Sequence, residues 1–171
     1  MSVRVPILAE SRLTGSNIHA ALLPSNRECN PIHWAIIYHE YETGVTLHEM
    51  VNGLNIGPTI ARHKCPIFFN DTWFDIRDRL VQSTDVLLSF FLPAILSENS
   101  SSKTQLHNQA NFGQWQTPYD VVFTWSAPVT DIHNRIRLLV SPLLSALYYT
   151  HEDNKIEISE PRTPRHVTLE M

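Results

Sequence analysis

The segment from Asp71 to Ile95 constrains the fold of this chain more than any other feature. Thr72 is a typical helix-capping residue, and Asp75 lies in the first turn that would follow it. Apolar residues then recur at intervals of about one or two helical turns: Ile76, Leu80, Leu87, Phe91 and Ile95. This spacing predicts a long amphipathic helix with one buried face, and Pro93 predicts a kink or an end there.

Strand patterns precede the long helix. Val45 and Leu47 alternate with the polar Thr46 and His48, and a second strand is expected at residues 59–63. Residues 42–44, Glu-Thr-Gly, are typical of a turn, and residues 55–58, Asn-Ile-Gly-Pro, predict a loop at the strand ends.

A short helix is expected over residues 31–38, with Asn30 as its cap and Pro31 as its first residue. Residues 97–117 are mostly polar and predict a linker or long loop. Beyond them, a strand is expected at residues 121–125, a helix begins after Ser126 and Pro128, and residues 146–150 and 155–159 predict a hairpin.

Composition excludes several classes of protein. Apolar residues make up 43% of the 171 residues and charged residues 18%, as in a globular protein, and the net charge of −4 disfavours general nucleic-acid binding. No stretch reads as a signal peptide or a membrane helix. The nine histidines lack a metal-binding motif, and Cys29 and Cys65 are expected to be reduced thiols, so we expect no metal site and an intracellular, cytoplasmic protein.

Several short motifs follow one another in a fixed order. They are Asn17-Ile18-His19, Leu22-Leu23-Pro24 with Arg27, Asn30-Pro31-Ile32 with Trp34-Ala35-Ile36, Glu42 to Thr46, Gly53-Leu54 with Gly57, and later Phe112-Gly113, Thr117-Pro118, Trp125, Ile132-His133-Asn134 and Ile136-Arg137. No single motif is specific, but their order over nearly the whole chain resembles that of the 10-formyltetrahydrofolate-dependent formyltransferases.

The resemblance implies a chemistry and a site. In that reaction an amine attacks a formyl carbon, an oxyanion develops, and a proton leaves the nitrogen. The resemblance makes Asn17 and His19 the oxyanion donors and implies 10-formyltetrahydrofolate as the cofactor. The acceptor amine would be carried by methionyl-tRNA or a nucleotide-linked amino sugar, and the segments 42–51 and 112–118 resemble sugar-modifying members. Arg137 is a candidate contact for an acceptor phosphate, with a helix-face ion pair as the alternative.

The chain departs from the family pattern at the residue that tunes the histidine. Where the family has an Asp, this chain has Asn55, an amide that cannot raise the pKa of His19 by its charge. An equivalent Asp-to-Asn change in serine proteases costs about 10⁴ in turnover. The alternative is a tolerated turn residue, since Asn suits such positions. Ala20-Ala21 replace a Pro-Ser pair, and Glu28 replaces a glycine that adopts left-handed backbone easily.

The resemblance implies an α/β fold with three parts. Residues 1–97 would be the C-terminal half of an incomplete Rossmann-like catalytic domain, residues 98–117 a linker, and residues 118–171 the start of a small, strand-rich, OB-like domain. Most of the folate pocket would belong to an N-terminal half that only residues 1–16 represent, and a partner chain would cover the exposed sheet edge. These departures leave two hypotheses. The chain is either an impaired formyltransferase, or it is catalytically silent, as a truncated remnant or an interaction module.

Overall fold

The fold places a small sheet beneath the long helix. The computed structural model describes residues 15–115, 120, 122–140, 145–150 and 154–158. Three strands, β1 (Ser16–His19), β3 (Glu42–Glu49) and β4 (Thr59–Pro66), form an antiparallel sheet in the order β1-β3-β4. The mixed α/β fold is confirmed. Among the described strands, however, this sheet contains no parallel pair, in contrast to a Rossmann-like core.

The predicted long helix is α2, Trp73–Leu96. Its N-terminus has a capping box, in which the Thr72 hydroxyl accepts from the Asp75 amide and the Asp75 carboxylate accepts from the Thr72 amide at 2.8 Å. Pro93 does not end the helix, which continues to Leu96. The buried face is formed by Ile76, Leu80, Ser83 and Leu87, whereas Phe91 is exposed.

The core lies between this face of α2 and one face of the sheet. Val45 and Leu47 of β3 and Ala61 and Cys65 of β4 are buried there. The residues between them on β3 point to the opposite face, because side chains alternate along a strand. Cys29 and Cys65 are both free thiols, as expected.

Part of the outer face of α2 is apolar as well, because Val81, Val86, Phe90 and Leu92 are exposed. Within the described residues, α2 is one helix that is long and apolar enough to cross a membrane by length and composition, and only 17% of that stretch is buried. The length and composition of α2 thus come closer to those of a membrane helix than the sequence analysis expected. Core helices of other proteins meet the same test, so the finding does not by itself place α2 in a membrane.

Two local predictions near β3 were wrong. Residues 42–44 belong to β3 and do not form a turn, because Thr43 pairs with Cys65 and Gly44 with Lys64. A Cβ at Gly44 would collide with the His63 carbonyl and the Leu22 side chain, so the glycine serves close packing within the strand. Asn30 precedes helix α1 (Pro31–Ile37) but makes no side-chain cap.

The polar segment after α2 folds back on the sheet. It is irregular, as predicted, apart from a 3-10 turn at His107–Gln109 and strand β5 (Phe112–Gly113), which pairs in parallel with β2 (Arg27–Glu28). Gln105 is 3% exposed, and Lys103 bridges to Thr59. The segment is thus packed against the first part of the chain, although the domain boundaries at 97 and 118 stay predictions.

The predicted helix and hairpin of the C-terminal part are present. The strand expected at residues 121–125 is not formed over the described residues 122–125, where Val122 makes an isolated bridge to Leu147 and Trp125 lies in a turn. Helix α3 is Val129–Leu138, and the hairpin consists of β6 (Ala146–Tyr149) and β7 (Lys155–Ile158) in antiparallel register. Ser159, predicted to end the hairpin, and Val121, predicted to begin a strand, lie outside the described residues. Helix α3 packs on α1, where the Asn134 amide donates to the Ile36 carbonyl at 2.8 Å.

Candidate active site

Polar side chains occupy the sheet face opposite the core. Asn17 pairs with His48 across β1 and β3, and His19 pairs with Thr46. Directly opposite residues of an antiparallel pair share a face, as do residues two apart on one strand. Asn17, His19, Thr46 and His48 therefore form one polar group on this face.

His48 holds the side chain of Asn17. The Asn17 Nδ2 donates to His48 Nε2 at 3.1 Å, and the His48 Nδ1 donates to the Glu49 carbonyl at 2.8 Å. These partners fit the neutral tautomer with its proton on Nδ1. Burial lowers the pKa of His48, which keeps the ring neutral. Sequence reasoning did not include His48 in the site. Its place beside Thr46, on the polar face of a predicted strand that leads into the 53–57 loop, was the available signal.

His19 is buried, with 7% of its surface exposed. Its Nε2 donates to the Asn26 carbonyl at 2.7 Å, because a carbonyl oxygen can only accept. Burial lowers the pKa of His19, the Asn26 bond raises it in part, and His48 lowers it further. The neutral ring therefore carries its proton on Nε2 and keeps a lone pair on Nδ1, which can accept a proton.

Asn55 reaches this group through His48. Its side chain interacts with His48 and raises the pKa of that ring. The sequence expectation paired Asn55 with His19, whereas its electrostatic effect in the structure falls on His48. The backbone of Asn55 is left-handed, with a φ of 55°, a conformation that Asn adopts more easily than most residues. The left-handed backbone fits the interpretation of Asn55 as a turn residue, and its role in the site stays a prediction.

A buried arginine on β2 connects this strand to the loop that carries Asn55. Arg27 is 2% exposed, and its Nη2 donates to Gln105 Oε1 at 2.7 Å and lies 3.1 Å from His107 Nδ1. The Gln105 amide in turn donates to the carbonyls of Asn55 at 3.0 Å and Gly57 at 2.6 Å. Two residues 78 positions apart therefore join β2 to the loop that carries Asn55.

The loop between β1 and β2 also contacts the polar face. Thr46 Oγ1 accepts from the Leu23 amide at 3.0 Å and donates to the Ala21 carbonyl at 2.6 Å. Glu28, at the position of a family glycine, has a φ of 74°. The expectation that this position requires left-handed backbone is confirmed, and Glu28 adopts it at a cost in conformational energy.

Arg137 lies away from this group and is buried, with 4% of its surface exposed. Its guanidinium donates to Asn134 Oδ1 at 2.8 Å and to the carbonyls of Asp71 at 2.8 Å and Phe68 at 3.2 Å. The ion pairs among the described residues do not include Arg137, so the helix-face ion pair is not formed there, and the suggested phosphate contact stays a prediction. Arg137 instead fixes α3 to the turn before α2. Within the described ranges, no group of three or more His, Cys, Asp or Glu residues could hold a metal ion.

Comparison with solved structures shows the same fold in formyltransferases. A sugar N-formyltransferase from a Shewanella species is 22% identical, with a TM-score of 0.72, 88% of this chain covered and 62% of that one. The N-formyltransferase from Helicobacter canadensis, in complex with folinic acid and dTDP-3-aminofucose, is 25% identical, with a TM-score of 0.67 and coverages of 71% and 46%. Methionyl-tRNA formyltransferase from Clostridium thermocellum is 16% identical, with a TM-score of 0.71 and coverages of 94% and 67%.

The chain thus spans between 46% and 67% of the length of these three proteins. The sequence model described as formyl transferase matches residues 5–89, a range that includes Asn17, His19, His48 and Asn55. The order of motifs, the fold and this match agree, and the chain belongs to the formyl transferase family.

Proposed function

We propose that this chain takes part in the transfer of a formyl group from 10-formyltetrahydrofolate to a primary amine, and that Asn17 and His19 carry the chemistry. The observation that supports this proposal most directly is the shared sheet face of Asn17 and neutral His19, with Asn55 reaching the same group through His48. Family membership supplies the reaction class.

Each side chain offers the group that one step of the reaction needs. When the amine nitrogen attacks the formyl carbon, a C–N bond forms and the carbonyl electrons become an oxyanion. The Asn17 amide has a second N–H that is not used by His48, and it can donate to that oxyanion. His19 was expected to be a second oxyanion donor, but its Nε2 proton is donated to the Asn26 carbonyl, so we propose a different role for it. The attacking nitrogen must lose a proton, which the Nδ1 lone pair of His19 can accept. The protonated ring then returns the proton to the leaving nitrogen as the formyl carbon–nitrogen bond of the donor breaks.

Asn55 weakens this arrangement in the proposal. An amide adds no negative charge beside His48 and His19, and burial already lowers the pKa of both rings. Forming the His19 imidazolium therefore costs more than it would beside a carboxylate. We expect a penalty of several kcal/mol in the transition state, by analogy with the about 10⁴-fold loss in serine proteases.

The acceptor that we propose is a nucleotide-linked amino sugar, with methionyl-tRNA as the alternative. The Shewanella protein is a sugar N-formyltransferase. The Helicobacter protein is an N-formyltransferase, and its complex contains an amino-sugar nucleotide. The Clostridium protein acts on methionyl-tRNA by its name. In this proposal the first unit is part of a Rossmann-like domain, the C-terminal unit is OB-like, and the protein acts in the cytoplasm. A further chain would pair with β1, an edge of the described sheet.

Folate binding and formyl transfer test the proposal separately. Calorimetry with 5-formyltetrahydrofolate measures binding by the purified chain, and a mass-spectrometric assay with 10-formyltetrahydrofolate and an amino-sugar nucleotide measures transfer. We expect slow transfer that falls at least about a hundredfold in Asn17→Ala and His19→Ala. His63→Ala, an exposed β4 histidine outside the site, is the control and keeps the wild-type rate.

The silent remnant is the second candidate, and the amide at position 55 is the observation that favours it. Folate binding without transfer to either acceptor would support this candidate. Absence of folate binding would overturn the enzymatic proposal for this chain.

A further inference from the structure

Asn26 connects His19 to a carboxylate on another element. Asn26 is 1% exposed and has a φ of 51°. Its carbonyl accepts a hydrogen bond from His19 Nε2. Its side-chain amide donates to both carboxylate oxygens of Glu40, at 3.1 and 3.2 Å. Its backbone amide donates to Asn111 Oδ1. Two partners other than His19, Glu40 and Asn111, therefore fix the direction of the carbonyl that His19 contacts.

The backbone of Glu40 is fixed at the end of α1. It follows α1, and its amide donates to the Ala35 carbonyl at 2.9 Å. Its half-buried side chain lines a cavity of about 310 Å³ together with Ser25, Glu42 and Thr43. Burial raises the pKa of Glu40, and the hydrogen bond from Asn26 lowers it in part.

Glu40 and Glu42 line the same cavity but differ in their partners. Glu42 forms an exposed ion pair with Lys64 at 2.6 Å. Among the described residues, no Lys, Arg or His side chain lies within ion-pair distance of Glu40, and the partner given for its carboxylate is the Asn26 amide. A half-buried carboxylate that is bonded to an amide, and not to a cation, retains negative potential that acts on its neighbours.

We propose that Glu40 is a positioning residue for His19, which acts through Asn26 to hold the Nε2–H tautomer and leave Nδ1 free for proton transfer. The inference rests on the proposed function, because it assigns the orienting role that the family gives to an Asp to a different carboxylate in a chain that has Asn55. Glu40 does not contact the reacting atoms in this account. It fixes the acceptor to which His19 is bonded.

Two other titratable side chains, His48 and Arg27, lie near the bonded pair of His19 and Asn26. His48, on β3, lowers the pKa of His19. Arg27, next to Asn26 on β2, lowers the pKa of His48 and is itself bonded to Gln105. His48 disfavours the His19 imidazolium, and Arg27 disfavours the His48 imidazolium. Glu40 acts on His19 only through Asn26 in this proposal.

Nitrogen-15 NMR of the histidine rings tests the inference without any assay of activity. In the wild-type chain we expect the His19 resonances of an Nε2–H tautomer. Glu40→Gln weakens the bond that fixes Asn26, so it should mix the tautomers and lower the His19 titration midpoint, because the bond to the Asn26 carbonyl raises the pKa of His19. Glu42→Gln alters the same cavity wall without touching Asn26 and should leave His19 unchanged. If Glu40→Gln leaves the His19 tautomer and midpoint at their wild-type values, the inference is overturned.

Asn26→Asp provides a second variant in case Glu40→Gln does not fold. It keeps the backbone carbonyl but replaces the donor to Glu40 with a repelling carboxylate, so the tautomers should again mix. In the transfer assay, Glu40→Gln should lower kcat by about tenfold to a hundredfold with little change in KM. Should no variant and no wild-type sample transfer formyl while the NMR results follow the expectation, the proposed function fails and the positioning role stands.

Discussion

The Asn17 side-chain amide donates to Nε2 of His48 at 3.1 Å, so an imidazole on β3 sets the orientation of the first residue of the Asn-x-His motif. The same ring interacts with Asn55. His48 therefore links the two parts of the site that the sequence separates by almost forty residues, and its removal should disconnect them.

His48→Leu should lower the rate of formyl transfer by about tenfold to a hundredfold, because Asn17 loses the acceptor that orients it. His48→Gln retains an acceptor and should recover part of the rate. Both variants are compared with wild type in the mass-spectrometric transfer assay, with circular dichroism to verify folding. A fully active, folded His48→Leu protein would show that Asn17 does not depend on this contact.

Gln105→Leu should destabilise the fold by about 1–3 kcal/mol. The substitution leaves a buried Arg27 N–H and two loop carbonyls without their partner. Gln109→Leu is the matched control, since this glutamine is exposed in the same segment and should change stability little. Urea denaturation measures both free energies of unfolding. Equal values for the two variants would contradict a structural role for the Arg27–Gln105 contact.

His33 should make the fold less stable in acid. Burial lowers its pKa from 6.5 to about 4 in the folded state. Below pH 6.5 the unfolded chain therefore binds more protons than the folded one, so stability is full above that pH and is lost as the pH falls towards 4. The contribution is at most about 3 kcal/mol. His33→Gln should flatten the dependence of the unfolding free energy on pH between 6.5 and 4, and an unchanged slope would exclude this origin.

Those elements could be predicted from the sequence in which the spacing of apolar residues shows which face is buried. Leu80 and Leu87 lie on the buried face of α2 because helical periodicity reflects which side packs on the core, and the hairpin at β6 and β7 follows from alternation around a polar turn. The predicted turn at residues 42–44 was wrong because glycine is typical of turns, whereas Gly44 allows a close contact between two strands.

The site was only partly predictable. Asn17 and His19, which we propose for the site, could be predicted because their motif is local. The Arg27–Gln105 contact joins side chains 78 residues apart, and the Asn26 carbonyl that binds His19 is a backbone group, so neither leaves a signal in residue type. Arg137 shows the opposite case, because a charged residue on a predicted helix suggested a ligand contact and is in fact buried against main-chain carbonyls.

Asn55→Asp should restore the carboxylate of the family pattern. A negative charge beside His48 raises the pKa of that ring and eases formation of the His19 imidazolium. The acidic limb of the profile of kcat/KM against pH should move to higher pH, because His19 must be neutral to accept a proton and its pKa rises. Asn52→Asp places the same charge at an exposed position of the same loop and should leave the profile unchanged.

The rate of formyl transfer by Asn55→Asp relative to wild type is the most direct test of the account. Single-turnover transfer from 10-formyltetrahydrofolate to an amino-sugar nucleotide should be at least about tenfold faster in Asn55→Asp than in wild type, with Asn52→Asp equal to wild type. A folded, folate-binding Asn55→Asp protein that transfers formyl no faster than wild type would contradict the claim that Asn17, His19 and position 55 form one catalytic site.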